Sequence, residues 1–131
     1  MYSFKATGHG NMLATHRNTF EFTKAANVTE KGDCIIAVNA DFELKKIRQF
    51  LQKEKIKITM SANGIKETIT ATPNQDFSDN HEIVVRITDF RSKRTFATRA
   101  DKSAAQLDRR LVKALKNDKT VIVITIAEYG I

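Results

Sequence analysis

Three histidines and two nearby aspartates are the residues of this sequence whose types could support catalysis. His9 and His16 lie in the first half of the chain, and His81 lies in the second half. Three imidazoles suit a zinc-like site with an open fourth position, where a bound water becomes acidic. We therefore take His9, His16, His81 and Asp76 as candidate metal ligands, and His16, His81 and Asp33 as candidate catalytic residues. With these residues the protein would be a metal-dependent hydrolase, and a nuclease is one enzyme of that class. The alternative is that each imidazole only hydrogen-bonds the backbone of a loop or a strand end.

The basic residues indicate a different activity, the binding of a polyanion. The chain has 131 residues, of which 22 are Lys or Arg and 15 are Asp or Glu, so its formal net charge is +7. Such a charge attracts nucleic acid and other polyanions. The candidate phosphate-binding residues are Arg17, Arg91, Lys93, Arg94, Arg99 and Lys102. Our leading hypothesis is a nucleic-acid-associated protein, and the alternative reading of the charges is a solvated surface.

Composition excludes several other classes of protein. A single cysteine, Cys34, cannot form an internal disulfide or a zinc site with several thiolates. No glycine-rich phosphate loop or serine-centred nucleophile motif occurs. The apolar runs are too short for a membrane span, and the start has no secretory pattern, so we expect a cytoplasmic protein without a membrane partner. No cofactor is required by these motifs, although a divalent metal fits the histidine hypothesis.

An internal repeat would bring the candidate residues together. Residues 6–23 align with residues 71–88 without a gap, which places His16 on His81. Further along, Asp41 falls on Asp101. We predict one domain, 1–131, built from repeats 2–62 and 65–128 about a pseudo-twofold axis, with the matching loops at a common centre.

The same local pattern of strands and one helix is found in both halves. Apolar residues alternate with polar ones in the segments read as strands, as in a half-buried strand. Each half also carries an apolar stripe at helical spacing, Leu44, Ile47 and Leu51 in the first and Ala104, Leu107, Leu111 and Leu115 in the second. Asp41 and Asp101 are the expected N-caps of these helices, and Asn63-Gly64 is the expected tight turn between the halves. The order β-β-β-α-β occurs twice, which predicts an α+β, predominantly β fold, a two-sheet sandwich or flattened barrel with two helices packed on it.

A third hypothesis is an assembly module without chemistry. An exposed strand edge of such a fold could pair with a second copy of the chain. A homodimer is the partner that this hypothesis implies.

Several short motifs resemble those of a known family. They are Gly8-His9, His16-Arg17-Asn18-Thr19, Gly32-Asp33-Cys34-Ile35-Ile36 and, in the second half, Arg99-Ala100-Asp101-Lys102-Ser103-Ala104. They are similar to an uncharacterised archaeal family described as a domain of unknown function, DUF371. The family's pattern has a proline after Gly8-His9, where this sequence has Gly10. The resemblance covers nearly the whole chain and implies an archaeal, cytoplasmic, mostly β protein, with no established activity.

Overall fold

The computed structural model describes residues 1–130. The first half contains β1 (Tyr2–Thr7), β2 (Thr19–Thr23), β3 (Ile35–Ala37), α1 (Leu44–Arg48) and β4 (Ile56–Ala62). The second half contains β5 (Ile65–Pro73), β6 (Glu82–Arg86), β7 (Thr95–Thr98), a 3₁₀ turn (Ala104–Gln106), α2 (Arg109–Ala114) and β8 (Val121–Glu128). The predicted α+β, predominantly β class is therefore confirmed. Within residues 1–130 no helix combines the length and the apolar character needed to cross a membrane.

All eight strands belong to one mixed sheet in the order β1-β8-β4-β5-β7-β6-β2-β3. The pairs β2·β3 and β6·β7 are parallel, and the other pairs are antiparallel. Thr7 and Val38 exchange two backbone hydrogen bonds of 2.8 Å, so the outermost strand β1 also contacts the end of β3. The division into two packed sheets remains a prediction. The Thr7–Val38 contact occupies part of the edges that the assembly hypothesis requires to be free.

Alternation of apolar and polar residues accounts for the strands of the core. Phe4 and Ala6 of β1 are buried, whereas Ser3 and Lys5, which alternate with them, are exposed. The same alternation places every second side chain of β4 and β8 in the core. These two strands pair with each other along most of their length. Asn63 and Gly64 have φ values of +50° and +77°, as a two-residue hairpin turn requires, so the predicted turn between β4 and β5 is correct.

The helical segments are shorter than their apolar stripes predict. In the first half Ile47 and Leu51 are buried, but α1 itself has only five residues. In the second half Leu107 has ψ 152°, which is an extended conformation, and it separates the 3₁₀ turn from α2. The apolar spacing thus identified buried residues correctly except for Leu44, which is half-buried, and it did not predict the interruption at Leu107.

Asp41 and Asp101 are not the helix N-caps, and this prediction was wrong. The N-cap residues are Glu43 for α1 and Asp108 for α2. Asp41 Oδ1 instead accepts the Lys5 N–H at 2.7 Å. In the second half Asp101 Oδ1 accepts the Thr70 N–H at 3.1 Å. Each aspartate therefore ties the chain before a helix to the first strand of its own half.

The two halves make corresponding hydrogen bonds. In both parallel pairs the register shifts by one residue at the same place, between Glu21 and Phe22 in β2 and between Val84 and Val85 in β6. These contacts align Phe22 with Val85, so β2 corresponds to β6 from its first residue, Thr19, onward. The ungapped alignment of residues 6–23 with 71–88 does not have this correspondence, because the loop before β6 is two residues shorter than it assumes.

Candidate functional site

A pair of glutamates lies where β2 and β6 meet. Phe20 and Phe22 of β2 are fully buried in the core, so Glu21 between them is on the opposite face of the strand. Glu21 is nevertheless only 3% exposed. It is opposite Val84 of β6, and Glu82 lies two residues before Val84 on the same face. Two carboxyl groups are therefore neighbours at a largely buried position.

Arg94 connects the two carboxyl groups. Its Nη2 lies 3.5 Å from Glu21 Oε1, and its Nη1 lies 3.5 Å from Glu82 Oε2. From another side the Cys34 thiol donates to Glu21 Oε1 at 3.8 Å. We refer to Glu21, Glu82, Arg94 and Cys34 as the carboxyl cluster.

Burial changes the protonation of this cluster. Burial and, to a smaller extent, the neighbouring Glu82 together raise the pKa of Glu21 to about 8, whereas Arg94 opposes the shift. Burial and the charge of Glu21 also raise the pKa of Cys34 to about 11. At neutral pH the cluster therefore holds a proton on its carboxyl pair, and its thiol stays protonated. It could donate a proton to a bound group.

An exposed aromatic residue lies beside the carboxyl cluster. Phe90, in the turn between β6 and β7, is 62% exposed. The Arg86 guanidinium lies 4.8 Å from the centre of the Phe90 ring, and Arg86 Nε donates to Thr95 Oγ1 at 2.9 Å. Arg91 and Lys93 follow Phe90 and are exposed. Burial and the charge of Arg94 lower the pKa of Arg86, which marks this as a crowded positive region.

Two grooves share Arg91 as a wall residue. One, of about 160 Å³, is lined by Thr72, Pro73, Asp89, Arg91, Thr98 and Arg99. The other, of about 400 Å³, is lined by Asn74, Asp76, Arg91, Ser92 and Lys93. We call Phe90, Arg91, Lys93 and Arg99 the Phe90 surface. It contains three of the six candidate phosphate-binding residues.

The other three candidates lie elsewhere or are engaged with carboxylates. Arg94 contacts both glutamates of the carboxyl cluster, and Lys102 pairs with the buried Glu67. Arg17 is exposed beside His16 and lines neither groove. Within the Phe90 surface Arg99 pairs with Asp89, and both side chains are exposed.

His16 supports the start of β2 through backbone contacts. Its Nδ1 accepts the N–H groups of Asn18 at 3.0 Å and Thr19 at 3.1 Å. Before β6, Asp79 Oδ1 accepts the N–H groups of His81 at 2.7 Å and Glu82 at 2.8 Å. The residue whose contacts match those of His16 is thus Asp79, whereas His81 matches Asn18. An imidazole and a carboxylate perform the same local role.

The candidate metal ligands are not brought together. In the described residues, 1–130, no three side chains of His, Cys, Asp or Glu are grouped as a metal ion requires. His9 Nδ1 accepts the Asn11 N–H, and Asp76 lines the groove beside Arg91. Asp33 lies near His16 through its backbone, since the Asp33 carbonyl accepts the His16 N–H at 3.2 Å. The metal-dependent hydrolase hypothesis therefore gains no support from these contacts.

Sequence reasoning did not identify Glu21 or Phe90. Glu21 is part of Thr-Phe-Glu-Phe-Thr, which reads as a strand with one solvated face, and nothing local shows that this face is covered. For Phe90 the sequence did contain a signal of nucleic-acid binding. Phe90 directly precedes Arg-Ser-Lys-Arg, and an aromatic residue next to several basic residues is typical of such binding.

Two comparisons with known proteins cover nearly the whole chain. Residues 4–128 match a family described as "Domain of unknown function (DUF371)". An uncharacterized protein of Methanocaldococcus jannaschii is 36% identical over 128 residues, which cover 92% of this chain and 95% of that protein. Neither description assigns an activity, so the function has to be inferred from the site.

Proposed function

Because the chain belongs to the family described as Domain of unknown function (DUF371), whose description assigns no activity, we propose from the geometry that it binds nucleic acid through the Phe90 surface. The observation that carries this proposal is the exposure of Phe90 next to the basic residues Arg86 and Arg91. Aromatic rings stack on unpaired bases, and Arg or Lys side chains contact the phosphates of the same strand. We also propose a cytoplasmic location, which is the expectation from the sequence.

The charges of the Phe90 surface support a phosphate backbone as the partner. Arg91 and Lys93 are exposed and take part in no ion pair among residues 1–130. The Arg99–Asp89 pair is exposed and is therefore weak enough to be exchanged for a phosphate contact. Glu21 is protonated at neutral pH, which removes one negative charge from the neighbouring carboxyl cluster.

The proposed architecture behind this surface is a tandem duplication. It is supported by the matching register shifts of the two parallel pairs and by the matching aspartate contacts. In that arrangement the turn at Asp89–Lys93 corresponds to residues 26–33 of the first half, which carry no exposed aromatic residue. The nucleic-acid surface would then belong to one repeat only.

Fluorescence anisotropy with a labelled single-stranded oligonucleotide tests the proposal. We expect binding at about 50 mM salt that weakens steeply towards about 200 mM, because counterions are released from the strand. The double variant Arg91→Ala/Lys93→Ala should bind about tenfold more weakly and show a smaller salt dependence. The matched control Lys45→Ala/Lys46→Ala removes two exposed charges from α1 and should bind as the wild type does. Absence of binding at the lower salt concentration, or equal losses in both double variants, would reject the proposal.

A further inference from the structure

A polar cleft lies where the loop after β1 meets the turn after α2. Its volume is about 450 Å³, within the range of small-molecule sites. The wall residues with polar side chains are Thr7, His9, Asn27, Asn39, Lys116 and Asp118. We propose that this cleft, the His9 cleft, binds a small sugar phosphate. This site is separate from the Phe90 surface and does not depend on nucleic-acid binding.

The wall of the His9 cleft is held in place by backbone contacts. Gly8 N–H donates to Thr120 O at 3.0 Å, and His9 N–H donates to Leu115 O at 2.9 Å. The approach is so close that a Cβ on Gly8 would lie 2.3 Å from Leu115 O. A wall fixed in this way loses little conformational freedom when a ligand binds.

Two groups in the cleft suit a phosphate. His9 Nδ1 accepts the Asn11 N–H at 3.0 Å, so the neutral ring carries its proton on Nε2 and can donate it to a ligand. Lys116 is exposed and takes part in no ion pair within residues 1–130. A cation and a neutral donor together form charge-assisted hydrogen bonds with a phosphate monoester.

The remaining groups suit the hydroxyls of a sugar. Asn39 Nδ2 donates to Thr7 Oγ1 at 2.9 Å, which leaves Asn39 Oδ1 as an acceptor. Asp118 adds a carboxylate, which accepts from hydroxyl groups and repels a phosphate placed beside it. The wall therefore favours a ligand that has hydroxyl donors next to its phosphate over a bare phosphate ion.

The second half of the chain has a narrower groove, which corresponds to the His9 cleft if the two halves are repeats. In the proposed duplication, Thr72, Pro73, Asp89 and Arg99 correspond in order to Thr7, Gly8, Ala26 and Asn39, and each set lines its groove. There the Arg99–Asp89 ion pair lies in the groove, and the volume is only about 160 Å³. The His9 cleft is open because Ala26 and Asn39 are short at those two places. The wall of the His9 cleft is polar, and among the described residues no ion pair like Arg99–Asp89 lies inside the cleft.

Isothermal titration calorimetry with ribose phosphate, ribose and inorganic phosphate tests the proposal on the full chain. We expect saturable binding of ribose phosphate, and weaker binding of the other two probes by about tenfold or more. Lys116→Ala should weaken binding of ribose phosphate about tenfold, because it removes the charged donor. Lys119→Ala is the matched control, since Lys119 is exposed in the same turn and does not line the cleft. Arg91→Ala/Lys93→Ala should also bind ribose phosphate normally.

Each contrary result would overturn the proposal. The first is an absence of saturable heat at about 10 mM ribose phosphate. The second is equal binding of ribose and ribose phosphate, and the third is an equal loss in Lys116→Ala and Lys119→Ala. Loss of binding in the Arg91/Lys93 variant would assign the ligand to the Phe90 surface instead. Amide shifts of Gly8, His9 and Asn39 in a nuclear magnetic resonance titration should change in the wild type, and in Lys116→Ala the same changes should require about tenfold more ribose phosphate.

Discussion

Glu21 and Glu82 lie on neighbouring antiparallel strands, and the guanidinium of Arg94 contacts one carboxyl group with each of its two Nη atoms, at 3.5 Å. One arginine does not compensate two neighbouring negative charges of which one, on Glu21, is buried. The pair therefore holds a proton that a solvent-exposed pair would release, as the raised pKa of Glu21 expresses. This proton links the stability of the β2–β6 region to pH.

The stability of the protein should fall as pH rises through the neutral range. Folding raises the pKa of Glu21 from 4.5 to about 8, so between these values the folded chain binds a proton that the unfolded chain has lost. We expect the free energy of unfolding to fall by about 1–3 kcal/mol from about pH 5 to about pH 8.5 and then to level off. Urea unfolding at a series of pH values measures this change.

Glu21→Gln separates this proton from the other titrating groups. Glutamine resembles the protonated carboxyl group, so the variant should lose the slope between about pH 5 and about pH 8.5 and match or exceed the wild type at the upper end. Glu54→Gln, an exposed position, should keep the slope of the wild type. A flat profile in the wild type, or an unchanged slope in Glu21→Gln, would contradict the assignment.

Phe90 should matter for binding and not for folding. It is 62% exposed, so Phe90→Ala should change the free energy of unfolding by less than about 0.5 kcal/mol. Loss of one stacked base should cost about 1–3 kcal/mol of affinity for single-stranded nucleic acid. Tyr129→Ala provides the comparison, because Tyr129 is 50% exposed and lies against Lys55 away from the Phe90 surface. Equal losses of affinity in the two variants would mean that stacking on Phe90 is not the cause.

The same substitution should destabilise the chain at Gly8 and leave it nearly unchanged at Gly10. A Cβ on Gly8 would lie 2.3 Å from Leu115 O and 2.4 Å from Asn117 O, and both are backbone atoms that cannot turn aside. Gly8→Ala should therefore destabilise the chain by about 1–3 kcal/mol or more. Gly10→Ala meets nothing within 4 Å and should be nearly neutral. Thermal unfolding of both variants decides this, and a neutral Gly8→Ala would mean that the contact with the turn after α2 is looser than described.

The strands could be predicted because their information is local. Alternation in β1 and the turn at Asn63-Gly64 needed only neighbouring residues, and the structure agrees with both. The burial of Glu21 could not be found in this way. It depends on side chains that approach from Arg94 and Cys34, which are distant in the sequence.

The candidate site was misjudged for a related reason. Aligning His16 with His81 assumed equal loops before β2 and β6, and a difference of two residues moves the match to Asp79. Because a backbone N–H can donate either to an imidazole nitrogen or to a carboxylate oxygen, identity of residue type is a poor guide to which residues correspond. The geometry of the hydrogen bonds identifies the corresponding residues in the two halves, whereas the residue types do not.

Asp41 and Asp101 should contribute alike to stability. Each accepts a backbone N–H of the first strand of its half, and each donates its own N–H to the same residue, at 3.0 Å to Lys5 O and at 3.1 Å to Thr70 O. Asp41→Ala removes the acceptor of one backbone N–H and should cost about 1 kcal/mol. Asp101→Ala removes the same kind of acceptor and also the partner of the Thr70 hydroxyl, at 3.3 Å, so it should cost about as much or slightly more. The Asn variants keep an acceptor and should cost less. Because the two sites share no contact, the double alanine variant should lose the sum of the single losses, measured by urea unfolding. A neutral effect at one site alone would mean that the two halves use these aspartates differently, which would weaken the proposed duplication.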